Sequence, residues 1–299
     1  MDGIISLIKP PGMTSHDIIH WIRRTLEVKK AGHTGTLDPG AAGVLPVCIG
    51  KATKIIPYMD EDIKIYRAKI NFGITTDTQD KYGLVINKVD PRFSLYDLES
   101  TLDTFTGKLV QKPSIYSAIK VRGKKLYEYA REGKEVEIPT REVAIHYIKL
   151  IHYNLPYEAF IEVKCSKGAY IRTLCHDIGI SLGCGAHMGT LVRIRNGCFD
   201  IQFSYTLEEI EKSIHQPKKF ILPMDFPLES YPKINIRKNA GRSLKSGNVI
   251  YPQGIINDLN AYSENTIVTA YIENSLSAIG VIKWDYQNKR FYLKPLRVL

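Results

Sequence analysis

Gly32-His33-Thr34-Gly35-Thr36-Leu37-Asp38-Pro39-Gly40-Ala41-Ala42-Gly43-Val44-Leu45-Pro46-Val47 places four glycines and two prolines in sixteen residues. Such a stretch cannot make a long helix or a regular central strand. Glycine tolerates positive φ, and Pro39 biases Asp38 toward extended backbone. The expectation is a stiff, closely turned loop that presents one carboxylate at a fixed angle. Asp38 is the only acid between Glu27 and Asp60. An ordinary turn whose Asp caps its own backbone is the bland reading. A nucleotide cradle is the sharp one, suggested by Gly50-Lys51-Ala52. It fails: the pattern needs Gly five residues before Gly50 and Ser or Thr after Lys51, where Leu45 and Ala52 stand.

The same residues carry a long resemblance. Gly32-His33-Thr34-Gly35-Thr36-Leu37-Asp38-Pro39, continuing through Gly43-Val44-Leu45-Pro46 to Gly50-Lys51-Ala52-Thr53-Lys54, resembles the nucleophile motif of the bacterial tRNA pseudouridine synthase B family. Lys9-Pro10-Pro11-Gly12-Met13-Thr14-Ser15 has the order of the family's first motif, although Ile8 stands where Asp or Asn is usual. Ile8 therefore takes no polar role, and Lys9-Pro10 is expected to buttress the loop.

At 299 residues the chain can bury a large core and add a small domain. A hydrophobic content of 44% with 24% charged residues is that of a soluble globular protein. No apolar run approaches the roughly 18 residues of a membrane span. Met1-Asp2-Gly3-Ile4-Ile5-Ser6 lacks the basic and apolar regions of a secretory signal, so a cytoplasmic protein is expected. Five cysteines, an odd number, speak against a disulfide framework. Cys175, His176, Cys184 and His187 offer four soft ligands within thirteen residues. The adjacent pair Cys175-His176 diverges on a helix and is unsuited to chelation, so no metal is expected.

The net charge of +10 favours a polyanionic partner. Residues 231–299 hold ten Lys/Arg against four Asp/Glu. Phe105 to Tyr127 has no acid and carries Lys108, Lys112, Lys120, Arg122, Lys124 and Lys125, with Tyr116, Tyr127 and Tyr129 among or beside them. Lysines for phosphate and aromatics for unstacked bases suit structured RNA, although a solvated loop would also carry such charge.

Along the chain, Ile4 to Ile8 reads as a short buried strand. Thr14-Ser15-His16-Asp17 resembles a helix capping box, followed by Ile18, Ile22 and Leu26 at helical spacing. Tyr66, Ala68, Ile70 and Phe72 alternate with polar residues, so Tyr66 opens the inward face of a strand. Asp77 and Asp80, three apart in a Thr-rich turn, read as turn caps rather than a metal pair or acid/base dyad. Ser94 to Phe105 reads as a helix. Val143 to Val163 suggests two strands around Asn154-Leu155-Pro156, with Ala159, Ile161, Val163 and Cys165 on one face. Ser166-Lys167-Gly168 then breaks the strand, and Tyr170 and Arg172 fall in the first turn of a following helix. Pro-rich Ile221 to Pro227 precedes short β-rich runs whose spacing suggests a small barrel. The expected fold is α+β: a mixed, mostly antiparallel sheet flanked by helices over 1–230, and a small β-rich domain over 231–299.

The resemblance extends these readings. It implies a pseudouridine-synthase catalytic domain, an RNA-gripping insertion at about 105–142 and a PUA-like C-terminal domain. Lys64-Ile65-Tyr66-Arg67 aligns with the tyrosine that stacks on the flipped uracil. Lys112 to Lys120 and Gly123 to Arg131 resemble the segment that grips the tRNA T-arm, which makes Lys120, Lys124 and Lys125 RNA contacts. Cys165-Ser166-Lys167-Gly168-Ala169-Tyr170-Ile171-Arg172-Thr173 matches the third motif, in which Arg172 pairs with the carboxylate and Tyr170 lies against the base. Leu191 is expected to line the uracil pocket; Val192 stands where the family commonly has the first of two arginines. His33 would fill the stack that the extruded base leaves.

The implied reaction converts uridine 55 of the tRNA T-loop to pseudouridine. It uses Asp38 as nucleophile in a closed pocket, with Arg172 favouring the charged carboxylate and no cofactor. Two other classes compete. A non-catalytic RNA-binding or chaperone protein would use the loop only as architecture. A glycosidase would need two carboxylates flanking the bond, and only Asp38 lies in a motif.

Overall fold

The computed structural model describes residues 1–59, 62–117 and 119–299. Its elements run β1 (Gly3–Lys9), α1 (Ser15–Thr25), β2 (Ala31–His33), β3 (Ala42–Ile49), β4 (Ile63–Phe72), β5 (Ile74–Thr76), β6 (Val85–Lys88), α2 (Leu95–Thr104) and β7 (Gly107–Gln111). There follow β8 (Lys120–Val121), β9 (Lys124–Lys125), α3 (Leu126–Arg131), β10 (Arg141–Asn154), β11 (Glu158–Ser166), α4 (Ile171–Ser181), β12 (Ala186–Asn196) and β13 (Phe199–Asp200). The last are α5 (Leu207–Lys212), β14 (Lys233–Asn235), α6 (Gly241–Lys245), β15 (Ile267–Ile272), β16 (Ser275–Asp285) and β17 (Arg290–Val298). Among the described residues no helix is long and apolar enough to cross a membrane.

The main sheet has the order β1-β3-β12-β4-β11-β10-β7, with β2 on β3 and β13 on β12. Only β3 and β12 run parallel, so the sheet is mixed and mostly antiparallel. Period-two alternation sets its central faces. Tyr66, Ala68, Ile70 and Phe72 of β4 bury the same side as Ala159, Ile161, Val163 and Cys165 of β11, and α2 and α4 cover that side with Leu98, Leu102, Leu174 and Ile178. On β1 and β3 the two faces are both used. Ile5, Leu7, Leu45 and Val47 pack against Ile18 and Ile22 of α1. Ile4, Val44 and Cys48 pack on the other side against Tyr271, Leu276 and Ile279 of the second sheet. The capping box predicted for α1 is present, with Thr14 Oγ1 accepting from Asp17 N and Asp17 Oδ2 from Thr14 N.

Three expectations change. Half of the Gly/Pro stretch is strand: β3 carries Pro46 within it. Pro46 is accommodated because its carbonyl, accepting from Thr34 N at 3.1 Å, points away from β1. Its missing N–H therefore falls in the gap between the β2 and β12 pairings. Gly43 permits the crossing to β12: its φ is +111°, and a Cβ there would lie 2.2 Å from the Arg193 carbonyl oxygen. Gly107–Gln111, the start of the expected insertion, pairs with β10 as the sheet's edge strand, so these residues belong to the main sheet. The C-terminal runs form an open four-stranded sheet, β14-β15-β16-β17. Barrel-like closure comes only through single bridges, Ile236 to Ile255 and Ile250 to Leu293.

Ile161 is fully buried at the centre of the main core. Ile161→Ala should lower unfolding free energy by about 2–5 kcal/mol in urea titrations, whereas Tyr96→Ala, at a site 78% exposed, should leave it within about 0.5 kcal/mol.

Candidate active site

Asp38 sits between β2 and β3 on a loop whose carbonyls are held from beneath by buried cations. Arg193 of β12, fully buried, donates from Nε to the Val44 carbonyl at 2.7 Å and from Nη2 to that of Gly35 at 2.8 Å. Lys9, also fully buried, donates from Nζ to the carbonyls of Pro10, Met13 and Pro39 at 2.8, 2.7 and 3.2 Å. Ser15 Oγ accepts from Leu37 N at 2.9 Å, and Gly12 N donates to the Pro39 carbonyl at 2.8 Å. Burial lowers the Lys9 ammonium to about 8, the negative Asp38 acting against that shift. Lys9 thus reaches the loop at the Pro39 carbonyl, Pro10 contributes a carbonyl to Lys9, and Arg193 holds the loop at Gly35.

Arg172, second residue of α4 and 6% exposed, reaches Asp38 Oδ2 with Nη1 at 3.4 Å. Its Nη2 donates to the Tyr116 carbonyl at 2.9 Å. The same Nη1 lies 3.9 Å from Asp80 Oδ2. Asp80 is therefore more than a turn cap: Oδ1 accepts from Thr78 Oγ1 and Tyr82 N, while Oδ2 faces the guanidinium. Asp77 does cap its turn through Leu84 N and also accepts from the Tyr116 hydroxyl.

Beside this pair opens a cavity of about 360 Å³, within the usual range for small-ligand clefts of roughly 300–1,000 Å³. Asp38, Tyr66, Tyr170, Arg172 and Leu191 all line it. Tyr66 and Leu191 come from adjacent central strands, where Leu191 pairs with Ala68 and Arg193 with Tyr66. Burial raises the Tyr66 phenol, with Arg193 opposing the shift. Tyr170 caps α4. Its N–H and carbonyl are clamped by the Gln111 amide at 2.9 and 3.2 Å, and the guanidinium groups of Arg141 and Arg172 stand over its ring. The pocket is not closed in this state, since the Asp38 side chain is 42% exposed.

The remaining sequence candidates lie outside this wall. His33 ends β2, half-buried. Lys120 is exposed on β8. Lys124 pairs with Glu132 and stands over the Tyr129 ring; Lys125 donates to the Tyr127 hydroxyl at 3.2 Å. Among the described residues no three His, Cys, Asp or Glu side chains gather as metal ligands. Of the soft ligands considered above, Cys175 is buried and His187 lies between Asn71 and the Ile74 carbonyl.

Sequence reading missed Lys64, Arg141, Gln111 and Asp80. Lys64 was within reach of period-two reasoning, because it shares the inward face with Tyr66 and lines the cavity. The other three meet the site only through long-range packing.

A model of the N-terminal domain of the TruB family pseudouridylate synthases matches residues 23–171, and a tRNA pseudouridylate synthase B C-terminal-domain model matches 172–229. The chain belongs to the TruB family. It is 46% identical to tRNA pseudouridine synthase B of Caldanaerobacter subterraneus, over 95% of this chain and 96% of that protein. Its identity to the protein of the same name from Alkaliphilus oremlandii is 40%, over 100% and 99%. Among solved structures, a chain of a Cbf5-Nop10-Gar1 complex superposes with a TM-score of 0.73 at 27% identity, covering 99% of this chain and 84% of that one. An H/ACA RNP bound to a substrate RNA containing 2'-deoxyuridine gives 0.72 at 26%, with the same coverage. This chain is thus a pseudouridine synthase, an isomerase. The two TruB models meet at residue 171/172, the start of α4, inside the main sheet's own core.

The depressed Lys9 value has a signed consequence for this TruB chain. Between about pH 8 and the unfolded lysine value of 10.5, the unfolded state binds more protons than the native state, so stability contributed at Lys9 rises with pH. Relative to Lys9→Met, the wild type should gain on the order of 1–3 kcal/mol from pH 7.5 to pH 10, read by urea denaturation at each pH.

Proposed function

We propose that this chain isomerises uridine 55 in the tRNA T-loop to pseudouridine, with Asp38 as the nucleophile acting on an extruded nucleotide. The supporting observation is the Asp38–Arg172 pair at the edge of a nucleobase-sized cleft walled by Tyr66, Tyr170 and Leu191. The curated relatives carry the name tRNA pseudouridine synthase B, and the chain's charge of +10 suits a tRNA.

The reaction breaks the bond from ribose C1′ to uracil N1 and joins C1′ to C5. A proton leaves C5 and one is gained at N1, with no net oxidation or reduction. Each protein group has a matching task. Asp38 attacks ribose C1′ as uracil leaves through N1, and C5 of the turned base then displaces the carboxylate from C1′, while Arg172 keeps the carboxylate ionised and aimed. Tyr66 stacks on the detached uracil, and Tyr170 and Leu191 restrict its rotation to the cleft. His33 occupies the space that the base leaves. Lys64 and Arg141 add positive potential at the mouth, where the nucleotide's phosphates would lie. The segment from residue 112 to about 142 grips the T-arm, with exposed Lys120 as its available cation. Lys124 and Lys125 act there only by exchanging their present partners. Residues 231–299 form a PUA-like RNA-binding domain beside the catalytic domain, 1–230.

Glycosidase chemistry is the less favoured reading. Asp80 does bring a second carboxylate to Arg172, but it is anchored by Thr78 and Tyr82 and lies outside the cleft wall.

Asp38→Asn should lower tritium release from 5-tritiated uridine in tRNA by at least roughly three orders of magnitude while tRNA affinity stays within about threefold. Substantial turnover by this variant would remove Asp38 as nucleophile. Sequencing of tRNA treated with the wild type should find pseudouridine at position 55, and free uracil in the supernatant would instead indicate hydrolysis.

A further inference from the structure

The turn between β5 and β6 faces two ways. Inward, Asp80 meets Arg172; outward, two residues later, Tyr82 is 64% exposed. An aromatic side chain this open would ordinarily be a free surface residue, but its base and its edge are both fixed. Lys81 N donates to the Met188 carbonyl at 3.0 Å and Met188 N to that of Gln79 at 2.9 Å, which ties the turn to β12. Asp80 Oδ1 accepts from Tyr82 N at 2.9 Å. The ring edge then rests on Gly40, two residues from Asp38. A Cβ on Gly40 would lie 2.2 Å from Tyr82 Cε2 and 2.8 Å from its Cζ and hydroxyl, so the absence of a side chain there is what lets the phenol sit on the catalytic loop. Lys81 Nζ stands 5.1 Å from the ring centroid.

A solvent-facing ring seated on the Asp38 loop, with a flanking ammonium, has the elements of a single-stranded RNA contact: a π surface for one base and a cation for its phosphate. Asp38 lines the cleft, and two residues on, at Gly40, the Tyr82 ring rests on the same loop, so an RNA strand leaving the cleft over that loop would meet Tyr82. We propose that Tyr82 is a stacking platform for the nucleotide adjacent to the target uridine, with Lys81 holding that nucleotide's phosphate. The inference rests on the reading that this cleft takes a uridine from an RNA loop, and it adds a positioning residue that acts on the neighbouring base rather than on the reacting one. Nothing buried depends on the phenol, so its removal should cost recognition and leave the fold intact.

The test uses the full chain and a tRNA transcript with 2-aminopurine placed in turn on either side of the target uridine. Wild type should quench the fluorophore on one side only. Tyr82→Ala should lose that quenching and raise KM roughly 5- to 150-fold, with kcat at saturation within about twofold; Tyr82→Phe should restore both. Lys81→Gln should reduce the slope of log affinity against log salt by about one. Wild-type quenching and KM retained in Tyr82→Ala would overturn the platform while leaving the reading of the cleft intact. Absence of pseudouridine from the wild-type reaction would overturn both.

Discussion

Two buried cations under one loop fix the geometry on which the rest of this molecule depends. Removing Lys9 and Arg193 from water is costly, and neither has a carboxylate as a direct hydrogen-bond partner to offset the cost. Carbonyl oxygens meet them instead: those of Pro10, Met13 and Pro39 accept from Lys9, and those of Val44 and Gly35 from Nε and Nη2 of Arg193, whose Nη1 is left without a hydrogen bond. A loop rich in glycine and proline has carbonyls to spare, because it makes few ladder bonds of its own. The exchange is mutual: the cations find acceptors, and the loop acquires a single conformation. An apolar filling in place of Arg193 would take from the Gly35 carbonyl the hydrogen bond it accepts there, at about 1–3 kcal/mol if that oxygen stays buried.

This arrangement explains what could be read from the residues and what could not. Strands β4 and β11 were legible because period-two alternation is a local property, α1 because Thr14 with Asp17 forms a capping box within four residues, and α2 because Leu95, Leu98, Leu102 and Phe105 recur at helical spacing. Pairing Arg172 with Asp38, from 134 positions away, came from resemblance; neither residue's neighbours specify the other. Arg193 was visible only as the second of the two arginines that the family commonly has after Leu191; its buried role under the loop was not, since an arginine in a strand reads as solvent-facing unless the partner strand is known. Pro46 misled for a related reason. Proline is excluded from a strand only where its N–H would face a neighbour, and the gap between β2 and β12 is a property of the sheet rather than of the residues around Pro46.

The site also couples segments that are separate in sequence. Arg172 touches Asp38 on the loop, Asp80 in the turn after β5, and the Tyr116 carbonyl in the segment after β7. Tyr116 in turn donates its hydroxyl to Asp77. A displacement of the 112–117 segment therefore alters the hydrogen bonding of the same guanidinium that faces the proposed nucleophile. If that segment grips RNA as proposed, this side chain links the grip to the site.

The open state of the cleft follows from the same economy. Asp38 keeps 42% of its side chain in water while its partner is 94% buried, and 3.4 Å is long for a charge-assisted bond. A carboxylate fully enclosed in the free protein would lose solvation before any substrate repaid the loss. On the proposed function, leaving one wall of the cleft to the RNA would defer that cost to the moment of binding. A nucleotide filling the cleft as proposed would exclude water from around Asp38 and lower the local dielectric, strengthening its attraction to Arg172 at the stage when the proposed nucleophile is held in line. The rigid loop makes this possible, since only a carboxylate whose backbone is already fixed can give up water without also losing its aim.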